Sequence, residues 1–251
     1  MSDLHLEGGT VESANSYEQF KIPPKAPYLI LAGDIGYFKH KDRYLAFLRR
    51  QCECFVRVFL IPGNHEFYGM SRADGLKVAI DMEMSLHGRL TVMEGQQRRV
   101  DVDDNTILLA CTLYSSGAPE SGYFINDFHY ITDWSPQKQT DAHNADREFL
   151  ETALTDIRAT KPQSRVIIAT HYAPLYGPAV QPKHRDSPLN GFFCSDILDH
   201  LLSRTLVASV DTWLFGHTHY NVNVKVQHVQ VVSNQFRDDT SRRKFHIEST
   251  I

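Results

Sequence analysis

Apolar and polar positions along this chain fall into short blocks. Two apolar runs, "YLILAGD" (28–34) and "CFVRVFLIPGN" (54–64), end in glycine-containing turns and predict buried strands. Between them "DRYLAFLRRQCE" has helical spacing, with Asp42 as its expected N-cap. "GLKVAIDMEMSLHG" (75–88) predicts a second helix closed by a glycine. Short strands are expected around Leu90 to Met93 and Arg98 to Asp101, then a longer one at "TILLACTLY" (106–114). Beyond an aromatic, turn-rich stretch from Ser115 to Pro136, "QKQTDAHNADREFLETALTDIRA" reads as an amphipathic helix with Phe149, Leu150, Leu154 and Ile157 inward. "SRVIIATHYAP" predicts a buried strand, and "SDILDHLLSR" a helix capped by Ser195. "DTWLFGHTH", "NVNVKVQ" and "VQVVSN" predict three strands in close succession. A β-rich end after mixed strands and helices favours two packed sheets flanked by helices over one doubly wound sheet.

The residues that carry chemistry sit where apolar runs stop. Asp3 and His5 lie in "SDLHLE", Asp34 ends "LILAGD", and Asn64 and His65 end "LIPGNHE". His171 ends "VIIATH", and His217 and His219 end "WLFGHTH". Taken singly, Asp34 and Asn64 read as turn residues and His171 as a satisfied core histidine. Together they point elsewhere, because strand C-termini gather along one edge where loops build sites. The pairs two apart, Asp3 with His5 and His217 with His219, are expected to project from one strand face.

Composition narrows the classes. With 251 residues, 42% hydrophobic and 22% charged, the chain can bury one large core, and a single domain over 1–251 is expected. A net charge of −4 offers no broad attraction to a nucleic-acid duplex or an anionic membrane. No apolar run approaches the roughly 18 residues of a membrane span. Cys52, Cys54, Cys111 and Cys194 form no disulfide framework, and the C-x-C lacks the second cluster of a structural zinc site. Reduced thiols are expected, and a cleaved signal peptide would remove Asp3 and His5, so the expected location is cytoplasmic. The other eight histidines, His40, His143 and His228 among them, are expected on the solvated surface.

Five blocks stand in order: Asp3-Leu-His5, Gly33-Asp34, Gly63-Asn64-His65-Glu66, His171, and Gly216-His217-Thr218-His219. In this the chain resembles the calcineurin-like metallophosphoesterase superfamily, whose signature runs D-x-H, G-D, G-N-H-[DE], H, G-H-x-H. The resemblance implies an α/β fold, a four-layer α-β-β-α sandwich of two mixed β-sheets flanked by helices. The first strand would be truncated, since only Met1 and Ser2 precede Asp3. It implies two divalent metal ions (Mn, Fe or Zn), one held by Asp3, His5, Asp34 and His219, the other by Asp34, Asn64, His171 and His217. Four histidines suit transition metals better than magnesium or calcium. Catalytic roles fall to Asp34, shared by both ions, and to His65, beside the phosphoryl group.

The implied activity is hydrolysis of a phosphate monoester or diester by metal-activated hydroxide. Two divalent ions, offset by two carboxylates and a hydroxide, leave a small positive charge that selects a small anionic phosphorylated substrate, organic or nucleotide. The rivals are an inactive scaffold on this fold and a same-fold metalloenzyme with another net reaction. The chain departs from the pattern at "GDIGYFK", which lacks the G-D-x-x-D-R-G of protein phosphatases, and at "SNQFRDD", where Arg237 is displaced by one from S-N-P-R-G. The short opening strand predicts that the ion of Asp3, His5 and His219 is the weaker. The long segments Ser115 to Pro136 and Tyr172 to Phe193 carry Tyr123, Phe124, Phe128, His129, Tyr130, Trp134, Tyr172, Tyr176 and Phe193. They form either a pocket wall or a small core under a lid.

Overall fold

The computed structural model describes residues 1–236 and 245–251, so Arg237 lies outside the described residues. Strand β1 (Tyr28–Ala32) is apolar throughout because both its faces are covered. Leu29 and Leu31 pack toward helices α1 (Lys41–Cys54) and α2 (Arg72–Ser85), while Tyr28 and Ile30 face a second sheet. Strand β2 (Arg57–Ile61) repeats this alternation, Val58 and Leu60 outward, Phe59 and Ile61 inward. With β3 (Leu90–Val92) these strands form a parallel sheet ordered β1-β2-β3.

The second sheet is built from β4 (Arg99–Asp101), β5 (Thr106–Cys111), β6 (Arg165–Thr170), β7 (Val210–Phe215), β8 (Asn223–Val226) and β9 (Val229–Ser233), ordered β4-β5-β6-β7-β9-β8. Its four inner strands are parallel, and β4 and β8 pair antiparallel at the edges. Between β5 and β6 lie the single turn α3 (Asp127–Tyr130) and the long α4 (Pro136–Thr160); α5 (Ile197–Ser203) precedes β7. Leu150, Leu154 and Ile157 of α4 and Ile197, Leu198 and Leu201 of α5 pack on Ile107, Leu109, Val166 and Ile168. Phe59, Ile61, Leu108, Ala110, Ile167 and Ala169 fill the space between the sheets. The layers therefore run helix, sheet, sheet, helix. Burying each Leu, Ile or Phe among them is worth about 1.5–3 kcal/mol. No helix among the described residues is long and apolar enough to cross a membrane.

Several local expectations change. Asp42 is not a cap, because α1 continues from the turn Phe38–His40 and starts at Lys41. α2 starts at Arg72, ahead of Gly75, where the Ser71 hydroxyl accepts the Asp74 N–H at 3.1 Å. Ser195 does not cap α5; its own N–H donates to the Ala173 carbonyl at 3.1 Å. On α4, Phe149 is only partly buried, while Asp146 and His143 are buried. His143 is thus no surface residue: Nδ1 donates to the Tyr114 carbonyl.

The opening segment is also more than a frayed end. Met1, Asp3, His5 and Leu6 join β1 and its following loop through the pairs Met1 N–Ile30 O, Ala32 N–Met1 O, Asp3 N–Gly33 O, His5 N–Asp34 O and Leu6 N–Ile35 O, all 2.8–3.0 Å. On its other flank Ser2 N donates to Asn234 O and Phe236 N to Ser2 O, at 3.2 and 3.1 Å. The segment is threaded between the two sheets. The expected weak anchoring does not hold.

Candidate metal centre

Asp34, Asn64, His171 and His217 stand one to three residues beyond the ends of β1, β2, β6 and β7. These strands are parallel within their sheets, so their C-terminal ends share an edge. The loops there are tightly bent. Asp3, His5, Asp34, His217 and His219 all take positive φ, between 47° and 68°. The pairs two apart therefore do not project from a strand face, as alternation predicts; both lie in left-handed turns beyond regular strand. Such backbone costs an L-residue about 1–2 kcal/mol, and it gathers where a site over-determines it. The block glycines make room. A Cβ on Gly63 would stand 2.3 Å from Asp34 Oδ1, and one on Gly216 2.7 Å from Asp3 Oδ2.

Among the described residues donors gather in three groups, one of which is His5, Glu7 and His65; the other two are built from the sequence blocks alone. The ligand atoms of Asp3, His5 and His219 lie within 4.8 Å of one another, and so do those of Asp34, His171 and His217. In the first, His5 Nε2 is 3.2 Å from His219 Nε2, which is 3.3 Å from Asp3 Oδ1. In the second, His171 Nε2 is 3.4 Å from Asp34 Oδ1 and 3.0 Å from Asn64 Oδ1. Asp34 stands between them, its Oδ2 3.8 Å from His5 Nε2. Donors bound to one ion at about 2.0–2.2 Å sit about 3 Å apart, so the spacing fits a divalent transition ion in each group.

Hydrogen bonds set the ring orientations. His5 Nδ1 donates to Glu7 Oε1 at 3.1 Å, and His171 Nδ1 to the Ala32 carbonyl at 3.0 Å, turning both Nε2 atoms inward. His217 Nε2 lies 3.4 Å from the Phe192 carbonyl, which leaves Nδ1 for the centre. Electrostatics agree. Burial opposes charge on His171, yet Asp34, Asp3 and the Ala32 carbonyl together outweigh it and lift the ring to about 9. Burial and then His171 drive His217 down to about 3. Asp34 stays well below the usual carboxylate range against its burial, held there by His171 and His65. Carboxylates that draw protons onto adjacent imidazoles draw metal ions by the same field, and ligation displaces those protons.

Three carboxylates support the centre, and two of them, Glu7 and Asp127, escape a reading of the sequence; the third, Glu66, stands in the third block with no role assigned there. Glu66 is buried and accepts the N–H groups of Asp34, Ile35, Gly36 and Gly63 and the Tyr44 hydroxyl, clamping the β1 and β2 loops together. Glu7 accepts from His5 and, at 3.4 Å, from His65 Nδ1. Burial would raise its carboxyl, but those bonds bring it to about 2. Asp127, the first residue of α3, is buried and accepts from Asn64 Nδ2 and the Tyr68 and Tyr172 hydroxyls. His65 shares a donor group with His5 and Glu7 and stands outside the other two, its ring 4.2 Å from that of Tyr68 and 4.4 Å from that of His5. Burial opposes its charge, but Asp34 and Glu7 lift it to about 9.

A family model described as calcineurin-like phosphoesterase matches residues 1–221. The chain belongs to that family. It is accordingly a metal-dependent phosphoric ester hydrolase. An uncharacterized protein, L509, of Acanthamoeba polyphaga mimivirus is 26% identical over 270 residues, covering 98% of this chain and 92% of that protein. Among solved structures, the phosphopantetheinyl hydrolase PptH of Mycobacterium tuberculosis superposes with a TM-score of 0.66 at 15% identity, covering 94% of this chain and 88% of its own. A dimetal phosphatase from Danio rerio gives 0.52 at 16% identity, with 84% and 73% covered. A putative 5'-nucleotidase from Staphylococcus aureus gives 0.53 at 15%, with 94% and 48% covered. At these identities the likeness is one of fold.

A cavity of about 380 Å³ opens over the phosphoesterase centre, bounded on one side by Asp34, Asn64, His65, His217 and His219. Facing them are Phe124, Ile125, Val180, Leu189, Phe192 and Phe193 from the two aromatic segments. The segments divide between both expected roles. Phe124 and Phe193 line the cavity, while Trp134 packs on Tyr114 and Tyr172 is buried against His217. Tyr123, Tyr130 and Tyr176 are exposed.

Proposed function

We propose that this phosphoesterase works with two divalent ions, of manganese, iron or zinc. Asp3, His5, Asp34 and His219 hold one, and Asp34, Asn64, His171 and His217 hold the other. The observation that carries the reading is that Asp34, a member of the compact group with His171 and His217, also stands 3.8 Å from His5 of the group with Asp3 and His219. Such a pair of ions lowers the pKa of water to yield a nucleophile near neutral pH and offsets charge on phosphoryl oxygens.

The side chains do the rest. Asp34 would serve both ions, since it lies close to His171 and to His5. Glu7 holds Nδ1–H of His65, so Nε2 is the atom that meets the ester, protonating the leaving oxygen or stabilising its charge. The apolar wall of Phe124, Phe192 and Phe193 supports an organic group on the phosphate, so the substrate is a monoester or diester of a small organic or nucleotide molecule. Structural neighbours titled as a phosphopantetheinyl hydrolase and a putative 5'-nucleotidase are in keeping with a small phosphorylated substrate. The chain acts as one domain over 1–251, and its four free cysteines suit a cytoplasmic setting.

The test is a phosphate-release screen over monoesters, diesters and nucleotides, with Mn²⁺, Fe²⁺ and Zn²⁺ added separately and metal content measured on each sample. Two equivalents of metal and turnover on a small ester are expected. No more than one equivalent after loading sinks the dinuclear reading.

A further inference from the structure

Asp127 belongs to no block of the signature, yet its carboxylate accepts side-chain hydrogen bonds from Asn64 and from two tyrosines, each packed on a histidine of the centre. Asn64 Nδ2 donates to Oδ1 at 2.7 Å, the Tyr68 hydroxyl to Oδ1 at 2.7 Å, and the Tyr172 hydroxyl to Oδ2 at 2.9 Å. The Tyr68 ring stacks on His65, and the Tyr172 ring lies 3.9 Å from that of His217. A primary amide has one oxygen and one nitrogen of nearly equal size, so packing alone does not decide which faces inward. A carboxylate only accepts hydrogen bonds. Beside Asp127 the NH₂ end of Asn64 must therefore turn outward, and Oδ1 must face His171 and Asp34. The opposite rotamer would set two acceptors against each other in a buried space and present N–H groups to a cation.

We infer that Asp127 is the positioning residue that locks the Asn64 carbonyl oxygen toward the metal centre. The inference rests on the ligand role proposed above for Asn64. Because Phe124, Ile125 and Asn126 just before Asp127 line the cavity, the same contact registers the substrate wall against the ions.

Mn²⁺ titration calorimetry of the intact protein tests it, with thermal unfolding as a control on folding. Asn64→Ala checks the underlying ligand role and is expected to weaken one of two Mn²⁺ sites. Asp127→Ala should weaken that same site by about 10–100-fold, as loss of an orienting partner typically does, and leave the other unchanged. Should Asp127→Ala fail to fold, the exchange of the two side chains decides. Asn64→Asp alone sets two carboxylates face to face and should weaken the site. Adding Asp127→Asn restores one donor opposite one acceptor, and Mn²⁺ affinity should return to within about threefold of the wild type. A folded Asp127→Ala that binds Mn²⁺ like the wild type, or an exchange no tighter than Asn64→Asp, overturns the inference while Asn64 remains a ligand. Unaltered binding in Asn64→Ala overturns the ligand role and the inference with it.

Discussion

Glu66→Gln isolates what the clamp beneath the centre contributes. Oε2 of Glu66 accepts the N–H groups of Asp34 and Gly63 at 2.9 and 2.7 Å. Oε1 accepts those of Ile35 and Gly36 at 2.9 and 3.3 Å and the Tyr44 hydroxyl at 3.0 Å. Glutamine replaces one oxygen with an NH₂. Whichever way the amide turns, two buried backbone N–H groups then face a donor; the Tyr44 hydroxyl can rotate, but they cannot. Each orphaned buried donor costs about 1–3 kcal/mol, so the substitution should cost about 2–6 kcal/mol. Against a typical total of about 5–15 kcal/mol that is severe, and for a chain of this length it lowers Tm by roughly 5–20 °C. Burial, with Asp34 adding to it, raises Glu66 to about 7, so the measurement belongs at pH 8, where the wild-type side chain is ionised. Urea unfolding and scanning calorimetry, both with a chelator so that bound ions add nothing, give the difference. A loss below about 0.5 kcal/mol would mean the loops are held by something other than this carboxylate.

Further outcomes follow from the same geometry. His65→Ala should lower turnover by about 10²–10⁴-fold while metal content stays at the wild-type level; loss of metal would make His65 a ligand instead. Glu7→Gln should cut turnover by at least about tenfold, since it unsettles both His5 and His65, and wild-type kcat in that variant refutes the role. Asp34→Asn should be the most damaging single change to metal content, and two retained equivalents by elemental analysis would deny its shared position. Burial, with Glu94 adding to it, raises Asp146 from 3.8 to about 7. The folded chain then keeps a proton that the unfolded chain gives up above about pH 3.8, so this group's stabilisation is full at low pH and fades as pH climbs toward 7. Urea unfolding should show wild type losing stability relative to Asp146→Asn over that interval, and parallel curves would refute the shift.

The strands were legible because both faces of β1, β2, β5 and β6 are buried, which leaves near-continuous apolar runs that end at the site. The five blocks likewise named residues that the structure brings to one edge. Their geometry was less accessible. A left-handed turn at His5 or His219 has no signature in a side chain that is not glycine, so a strand alternation was the natural but wrong expectation. Glu7 reads as an ordinary charge until His65, 58 positions away, is folded against it. Asp127 and Asn64 are separated by 63 positions and share no pattern. Asp42 and Ser195 fit capping preferences, but α1 continues from an earlier turn and Ser195 is tied to Ala173.

The threading of the opening segment has a consequence for biosynthesis. Asp3 and His5 each meet their partners, His217 and His219, across 214 positions of sequence. At typical rates of about 5–20 residues per second, a ribosome needs roughly 10–40 s to supply those partners after the first block has emerged. The segment can dock beside β1 early, but its second flank, Asn234 and Phe236, arrives later still. The Asp3–His5–His219 group therefore exists only once the chain has been made as far as residue 219. A product cut short before residue 216 lacks His217 and His219, so neither the Asp3–His5–His219 group nor the Asp34–His171–His217 group can form in it.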